Sequence, residues 1–327
     1  MCDGGEAILR DSGGFCCLSE VVIRPYDTLE DLKKKVRYAT ILGTLQVSLS
    51  NFRYLRKVWT TNQEEERLIG VSLTGIMDHE VMCGSIMEFV EEVDADSRTI
   101  TSYPHREAVI SWLKELKQVA KETNIEWAEK LSINPSKQLT LVKPSGTVSQ
   151  LCNTSSGIHP RYSKYYIRRV RQDIKDPLTD LMIDEGIPYV VQGEKAIFSF
   201  PVKSPEESIT NSDLDALDQL NLWKIYRDHW CEGNPSQTIY YNDNTFLKVQ
   251  DWVWDNWSSI GGLSFFPADD NIYENAPYES ISEEKYEELV SSFPTALNWS
   301  RLNEFEKEDN TGMETEFACS GGNCELV

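Results

Sequence analysis

Leu139-Thr140-Leu141-Val142-Lys143-Pro144-Ser145-Gly146-Thr147-Val148-Ser149 reads as a short apolar strand that runs into a loop of small residues and opens a short helix. A strand ending in such a loop presents free backbone N–H groups and hydroxyls, a geometry that suits phosphate oxygens. An ordinary capped turn has the same composition, and the Gly-x4-Gly-Lys-Ser/Thr spacing of a Walker A loop is missing.

Outward from this stretch the chain alternates between helical and extended patterns. Thr28 and Asp31 resemble a capping box, and Leu29, Leu32, Val36, Ala39 and Gly43 share one face, which predicts a helix over 28–48. A second long helix opens near Pro104, with Val109, Trp112, Leu113 and Leu116 as its apolar stripe. Strands are expected at 165–170, 196–202, 238–241 and 262–266, and helices at 213–230, 245–257 and 282–293, the last capped by Ser282. Strands separated by helices predict an α/β fold.

The chain has 327 residues, enough to bury a sizeable core, and the composition of a globular protein. Its 32 basic residues face 53 acidic ones, a net charge of −21 that repels nucleic acids and anionic membranes. No apolar run is long enough to span a membrane, and Met1–Glu6 lacks the basic and apolar regions of a signal peptide. The expected compartment is therefore the cytoplasm, where the eight cysteines act as thiols rather than as a disulfide framework.

Cysteine marks both ends. Near the C terminus stands Cys319-Ser-Gly-Gly-Asn-Cys324, and its four small, flexible spacer residues let the two thiols meet as a disulfide. The preceding stretch is rich in Glu and poor in large apolar groups, which predicts a flexible acidic tail over 301–327. On such a leash the pair can enter a buried site, reduce a disulfide there and leave. Half a zinc site or two incidental thiols are the bland readings, though no His or Cys lies between Cys231 and Cys319 to complete a zinc set. At the other end, Glu6 precedes Phe15-Cys16-Cys17. A carboxylate near thiols suits a general base beside sulfur chemistry, and an ordinary exposed acid fits equally.

After the small-residue loop comes Gly157-Ile-His159-Pro-Arg161, then Tyr165-Tyr-Ile-Arg168-Arg169-Val-Arg171, the strongest basic cluster in the chain. It supplies either a local positive field for a polyphosphate or a strand whose arginines pair with carboxylates. His159 suits a hydrogen-bonded structural role, and four scattered histidines form no metal-ligand set.

In their order, these motifs resemble the adenosylcobalamin-dependent (class II) ribonucleotide reductases, of the monomeric ribonucleoside-triphosphate reductase type. The resemblance covers essentially the whole chain: Gly5-Glu6, Phe15-Cys16, Lys143–Thr147, Gly157–Arg161, Tyr165–Arg171, Asn234-Pro-Ser236, Gly262–Pro267, Ala276–Glu279, Cys319 and Cys324. It implies the C-terminal half of a ten-stranded α/β barrel with a central finger loop. Residues 1–24 would form the finger-loop region, 25–300 the barrel part, and 301–327 the tail. The implied activity is reduction of ribonucleoside triphosphates to 2′-deoxyribonucleoside triphosphates, with adenosylcobalamin as cofactor and thioredoxin or a similar dithiol as reductant.

Carried over by motif, Glu6 matches the acid–base glutamate and Cys16 the second of two reducing cysteines. Cys17 stands where an asparagine is usual, so either thiol can fill that role. Lys143, Pro144, Ser145, Gly146, Thr147 and Val148 match the substrate-phosphate loop, and Cys319 with Cys324 the tail pair that regenerates the internal dithiol. The family's finger loop reads Asn-Pro-Cys-Gly/Ala-Glu. Here Gly4 takes the place of the radical cysteine and Cys2 that of the asparagine, which leaves Cys2 as the one nearby substitute thiol. The barrel's N-terminal half has no counterpart, which implies a companion segment. The rival readings are a class I large subunit and a non-catalytic remnant that binds a partner or nucleotide. No Tyr lies beyond Tyr286 to serve a class I radical relay.

Overall fold

Thr28 and Asp31 close the expected capping box in the computed structural model: the Thr28 hydroxyl accepts from the Asp31 amide, and the Asp31 carboxylate accepts from the Thr28 amide, each at 3.2 Å. The structure describes residues 13–84, 104–206, 208–268 and 275–306, with the backbone of 90–93, 99–102, 317–320 and 323–326. In chain order the first elements are β1 (Cys17–Val22), α1 (Leu29–Val47), α2 (Lys57–Glu66), β2 (Ile69–Thr74), β3 (Val90–Val93), β4 (Thr99–Ser102), α3 (Pro104–Leu131), β5 (Thr140–Leu141) and α4 (Val148–Leu151). Then come β6 (Tyr165–Asp173), α5 (Pro177–Asp184), β7 (Tyr189–Gln192), β8 (Lys195–Lys203), α6 (Ala216–His229), β9 (Thr238–Tyr241), α7 (Phe246–Asp255) and β10 (Ser264–Pro267). The last are β11 (Tyr278–Ser280), α8 (Glu283–Ser292), α9 (Leu302–Phe305), β12 (Phe317–Ser320) and β13 (Asn323–Leu326). This is a mixed α/β chain, and it divides into two units, 1–164 with 204–271 and 165–203 with 272–327.

The first unit is built on parallel strands. β1, β2 and β5 form one sheet in that order, and β9 pairs with β10 in a second. A parallel bridge between Val142 and Pro235 joins the two, backed by donation from the Ser236 amide to the Val142 carbonyl at 2.9 Å. The order β1-β2-β5-β9-β10 is thus an open parallel array, and no sheet closes among the described residues.

Helices cover one face of this array. Leu32, Val36, Ala39, Gly43 and Val47 of α1 and Val109, Leu113, Leu116 and Ala120 of α3 recur at helical spacing and are buried in one core with Val21, Val71 and Leu73. From α6 come Trp223 and, just past its end, Trp230. A buried indole N–H needs an acceptor, and these two find the Pro235 carbonyl at 2.6 Å and the Leu141 carbonyl at 2.9 Å. α6 therefore fixes where β5 ends, which positions the loop that follows.

In the second unit β11, β6, β8 and β7 form an antiparallel sheet. Phe198, Ala196, Met182 and Ile187 make its core. The arginines of β6 pair within this unit: Arg169 binds the Glu279 carboxylate, and Arg171 donates to the Asn275 carbonyl at 2.7 Å. Of the two readings of the basic cluster, the paired strand holds for these residues. The acidic stretch begins folded, since Arg301 forms 2.8 Å ion pairs with Asp184 and Glu185 and α9 follows it.

Candidate active site

Alternation along β1 separates the two adjacent cysteines. Val21 and Ile23 lie in the helix-covered core, and Cys17, of the same parity, packs against it. Burial pushes the Cys17 thiol up, partly offset by a hydrogen bond with Gln63. Cys16 immediately precedes β1 and has the other parity, that of Leu18 and Glu20. Its backbone is held by neighbours: Phe15 packs on Phe52 and Trp59, each at 4.8 Å between ring centroids, and Asn62 donates to the Gly13 carbonyl at 2.6 Å.

The small-residue loop is fastened to the face of this second parity. In β2, Ile69, Val71 and Leu73 belong to the helix-side core, so Gly70, Ser72 and Thr74 face the other way. Gly70 is required there, because a Cβ would sit 2.6 Å from both Leu18 and Leu141. The Ser72 hydroxyl accepts from the Lys143 amide at 2.9 Å, and the Thr74 hydroxyl accepts from the Gly157 amide at 2.9 Å. Ser145 and Ser149 are buried and bonded to one another, the Ser149 amide donating to the Ser145 hydroxyl at 2.9 Å. Gly146, Thr147 and Val148 are exposed, and their amides donate to no described residue.

Cys17 is in register with Ile69, and Ser72 lies three residues farther along β2. At about 3.3 Å per residue the loop's anchor is roughly 10 Å beyond the cysteine end of β1.

Two residues of this site, Asp78 and Glu20, carried no signal in the sequence. Asp78, just past β2, and Arg161 form a buried ion pair at 2.8 Å. Arg161 also donates to the Asn153 carbonyl at 2.9 Å, and Asp78 accepts from the Ser155 amide at 2.8 Å. Glu20 bears a buried carboxylate oxygen with no hydrogen-bond partner among the described residues. His159 is structural: one ring nitrogen meets the Ser156 carbonyl at 3.1 Å and the other accepts from the Thr238 amide at 3.1 Å. With Nε2 accepting, the ring is neutral, and burial lowers its pKa despite the opposing Ser156 contact.

Cys2, Gly4 and Glu6 lie outside the described residues. Cys319 and Cys324 are directly opposed in the antiparallel register of β12 and β13. Cys231 is fully buried and its thiol is pushed well up by desolvation, as expected of a packing residue. Among the described residues no cluster of three or more His, Cys, Asp or Glu could hold a metal ion. No helix among them is long and apolar enough to cross a membrane.

No family model matches the chain. It is 27% identical to the adenosylcobalamin-dependent ribonucleoside-triphosphate reductase of Euglena gracilis, over 98% of this chain and 42% of that protein. The enzyme of that name from Lactobacillus gasseri is also 27% identical, over 92% of this chain and 41% of its own length. The chain thus spans about two fifths of the relatives it matches. A crystal structure of a B12-dependent (class II) ribonucleotide reductase superposes with a TM-score of 0.71 at 21% identity, covering 95% of this chain and 44% of that one. Over nearly its whole length, then, the chain is similar to a segment of the adenosylcobalamin-dependent ribonucleoside-triphosphate reductases.

Proposed function

We propose that this chain is the thiol- and phosphate-bearing segment of a ribonucleoside-triphosphate reductase, completed by a companion segment. The observation that supports the reading is that Cys16 has the parity of the β1 face continued by Gly70, Ser72 and Thr74 in β2, the face to which the loop 143–149 is fastened through Ser72. In the balanced reaction two thiols give two electrons and two protons. The ribose loses its 2′-hydroxyl as water, and the thiols become a disulfide. Cys16 is one of these thiols and the companion supplies the other. Glu6 exchanges the proton of the neighbouring ribose hydroxyl, and Lys143, Pro144, Ser145, Gly146, Thr147 and Val148 hold the phosphates. The pair Cys319 and Cys324 then takes over the disulfide and passes it to thioredoxin or a similar dithiol.

The relatives' cofactor, adenosylcobalamin, is assigned to the completed enzyme. It supplies a radical that a thiol must receive; Gly4 occupies the matching position, which leaves Cys2 of this chain or a thiol of the companion to receive it. The five parallel strands are read as half of a ten-stranded barrel. Among the described residues β1 and β10 are the outer strands, and all four residues of β10 are exposed, Phe265 and Phe266 included. Gly4 also favours a second reading, a remnant that binds nucleotide or partner without turnover.

The test is turnover by the chain mixed with its companion segment, adenosylcobalamin and a dithiol. Deoxynucleotide product is expected, with none from Cys16→Ser and near-normal product from Cys17→Ser. Absence of product in every pairing would leave the remnant.

A further inference from the structure

The return segment after α4 is gripped from two sides. On one side is the ion pair of Asp78 and Arg161, whose side chains are 1% and 4% exposed. Charges that deep are tolerated only when their hydrogen bonds are met. Here several of those bonds end on residues 153–155. Arg161 donates to the Asn153 side chain at 3.1 Å and to its carbonyl at 2.9 Å, and Asp78 accepts from the Ser155 amide at 2.8 Å. On the other side the next residue, Ser156, holds the loop itself. Its hydroxyl accepts from the Ser145 amide at 3.0 Å and donates to the Ser145 carbonyl at 2.9 Å. An unbroken chain of short contacts therefore leads from the buried charges to the residue preceding Gly146, Thr147 and Val148.

We propose that Asp78 and Arg161 are positioning residues for the triphosphate. The pair fixes 153–155, Ser156 fixes Ser145, and the amides of 146–148 are held in place before the ligand arrives. Preorganisation of this kind removes an ordering cost from binding. The inference rests on the reading of 143–149 as the phosphate loop.

The test uses the full chain, with inorganic tripolyphosphate as the probe in titration calorimetry and hydrogen exchange of 145–149 measured without ligand. Three variants separate the possibilities. Gly146→Glu puts a carboxylate into the loop where a Cβ has nothing within 4 Å, and tests the phosphate reading alone. Asp78→Asn removes the carboxylate charge of the clamp and leaves the Arg161 guanidinium without its counter-charge. Asn153→Gly, at an exposed residue with φ of 49°, removes one arginine acceptor without stranding a buried charge, and decides alone should Asp78→Asn not fold.

Gly146→Glu is expected to abolish binding. The two clamp variants should bind about tenfold more weakly, roughly 1.4 kcal/mol, with faster exchange in 145–149 while β1 and β2 stay protected. Normal affinity in the clamp variants beside lost binding in Gly146→Glu overturns the clamp and leaves the phosphate reading standing. Exchange that quickens equally throughout β1 and β2 reduces the pair to a general structural role and also overturns it. Binding that survives Gly146→Glu, or no binding by the unaltered chain, overturns both.

Discussion

Replacing Gly157 with Ala should unfasten the phosphate loop from β2 at a cost that can be worked from the geometry. Gly157 has φ of 57°, a left-handed conformation that costs an L-residue about 1–2 kcal/mol. A Cβ there would also lie 2.6 Å from the Lys143 carbonyl oxygen, a backbone atom. That carbonyl cannot retreat without loosening the Lys143 amide from Ser72 or the Gly157 amide from Thr74, both at 2.9 Å. Each such bond is worth about 1 kcal/mol, so the total loss is about 2–4 kcal/mol.

Gly84→Ala is the internal control, since Gly84 has φ of 71° in the same unit but its nearest neighbour is a Leu222 methyl group at 3.7 Å. It should lose only the conformational share. Urea unfolding followed by tryptophan fluorescence reports this unit, because eight of the nine tryptophans lie in it and only Trp299 lies in the other. The midpoint of Gly157→Ala should fall below that of Gly84→Ala by a difference equivalent to about 1 kcal/mol or more. Equal losses, or a smaller loss at Gly157, would refute the claim that Lys143 and Gly157 are locked together.

Two further outcomes follow from the same geometry. At neutral pH iodoacetamide should label Cys16 well before Cys17, because burial raises the Cys17 pKa and thins its thiolate, as peptide mapping after brief exposure would show; faster labelling of Cys17 would reverse the assignment of faces. The neutral, buried His159 has a folded pKa below the free value of about 6.5, so its contribution to stability is whole above that pH and is lost as pH falls through the folded value. Urea midpoints should therefore drop on acidification below about pH 6.5 more steeply in the unaltered chain than in His159→Gln; parallel slopes would remove His159 from the acid response.

The sequence was most legible where local rules act alone. α1 and α3 announced themselves through an apolar stripe, and the Thr28–Asp31 and Ser282 caps through adjacent residues whose bonds span three positions. β9 was expected at the residues it occupies. β1 and β2 went unrecognised. In β2, Ile69-Gly-Val-Ser-Leu-Thr74 alternates as a strand should, but Gly70 argues against a strand until Leu18 and Leu141 are seen closing over it.

Cys16 and Cys17 could not be told apart before the face of β1 was known, since adjacent residues differ only in parity. Asp78 and Arg161 are 83 positions apart, and neither has a neighbour that foretells the pair. The basic run after Gly157 read as one cluster because sequence proximity hides a boundary. Arg161 is buried in the first unit, while Arg169 and Arg171 serve the sheet of the second.

The most direct measurement is disulfide mapping by mass spectrometry on the chain joined to its companion, quenched with acid during turnover. The proposed exchange predicts a mixed disulfide linking Cys16 to Cys319 or Cys324, enriched when the other tail cysteine is replaced by Ser. A tail that is captured only on Cys17, or never on Cys16, would contradict it.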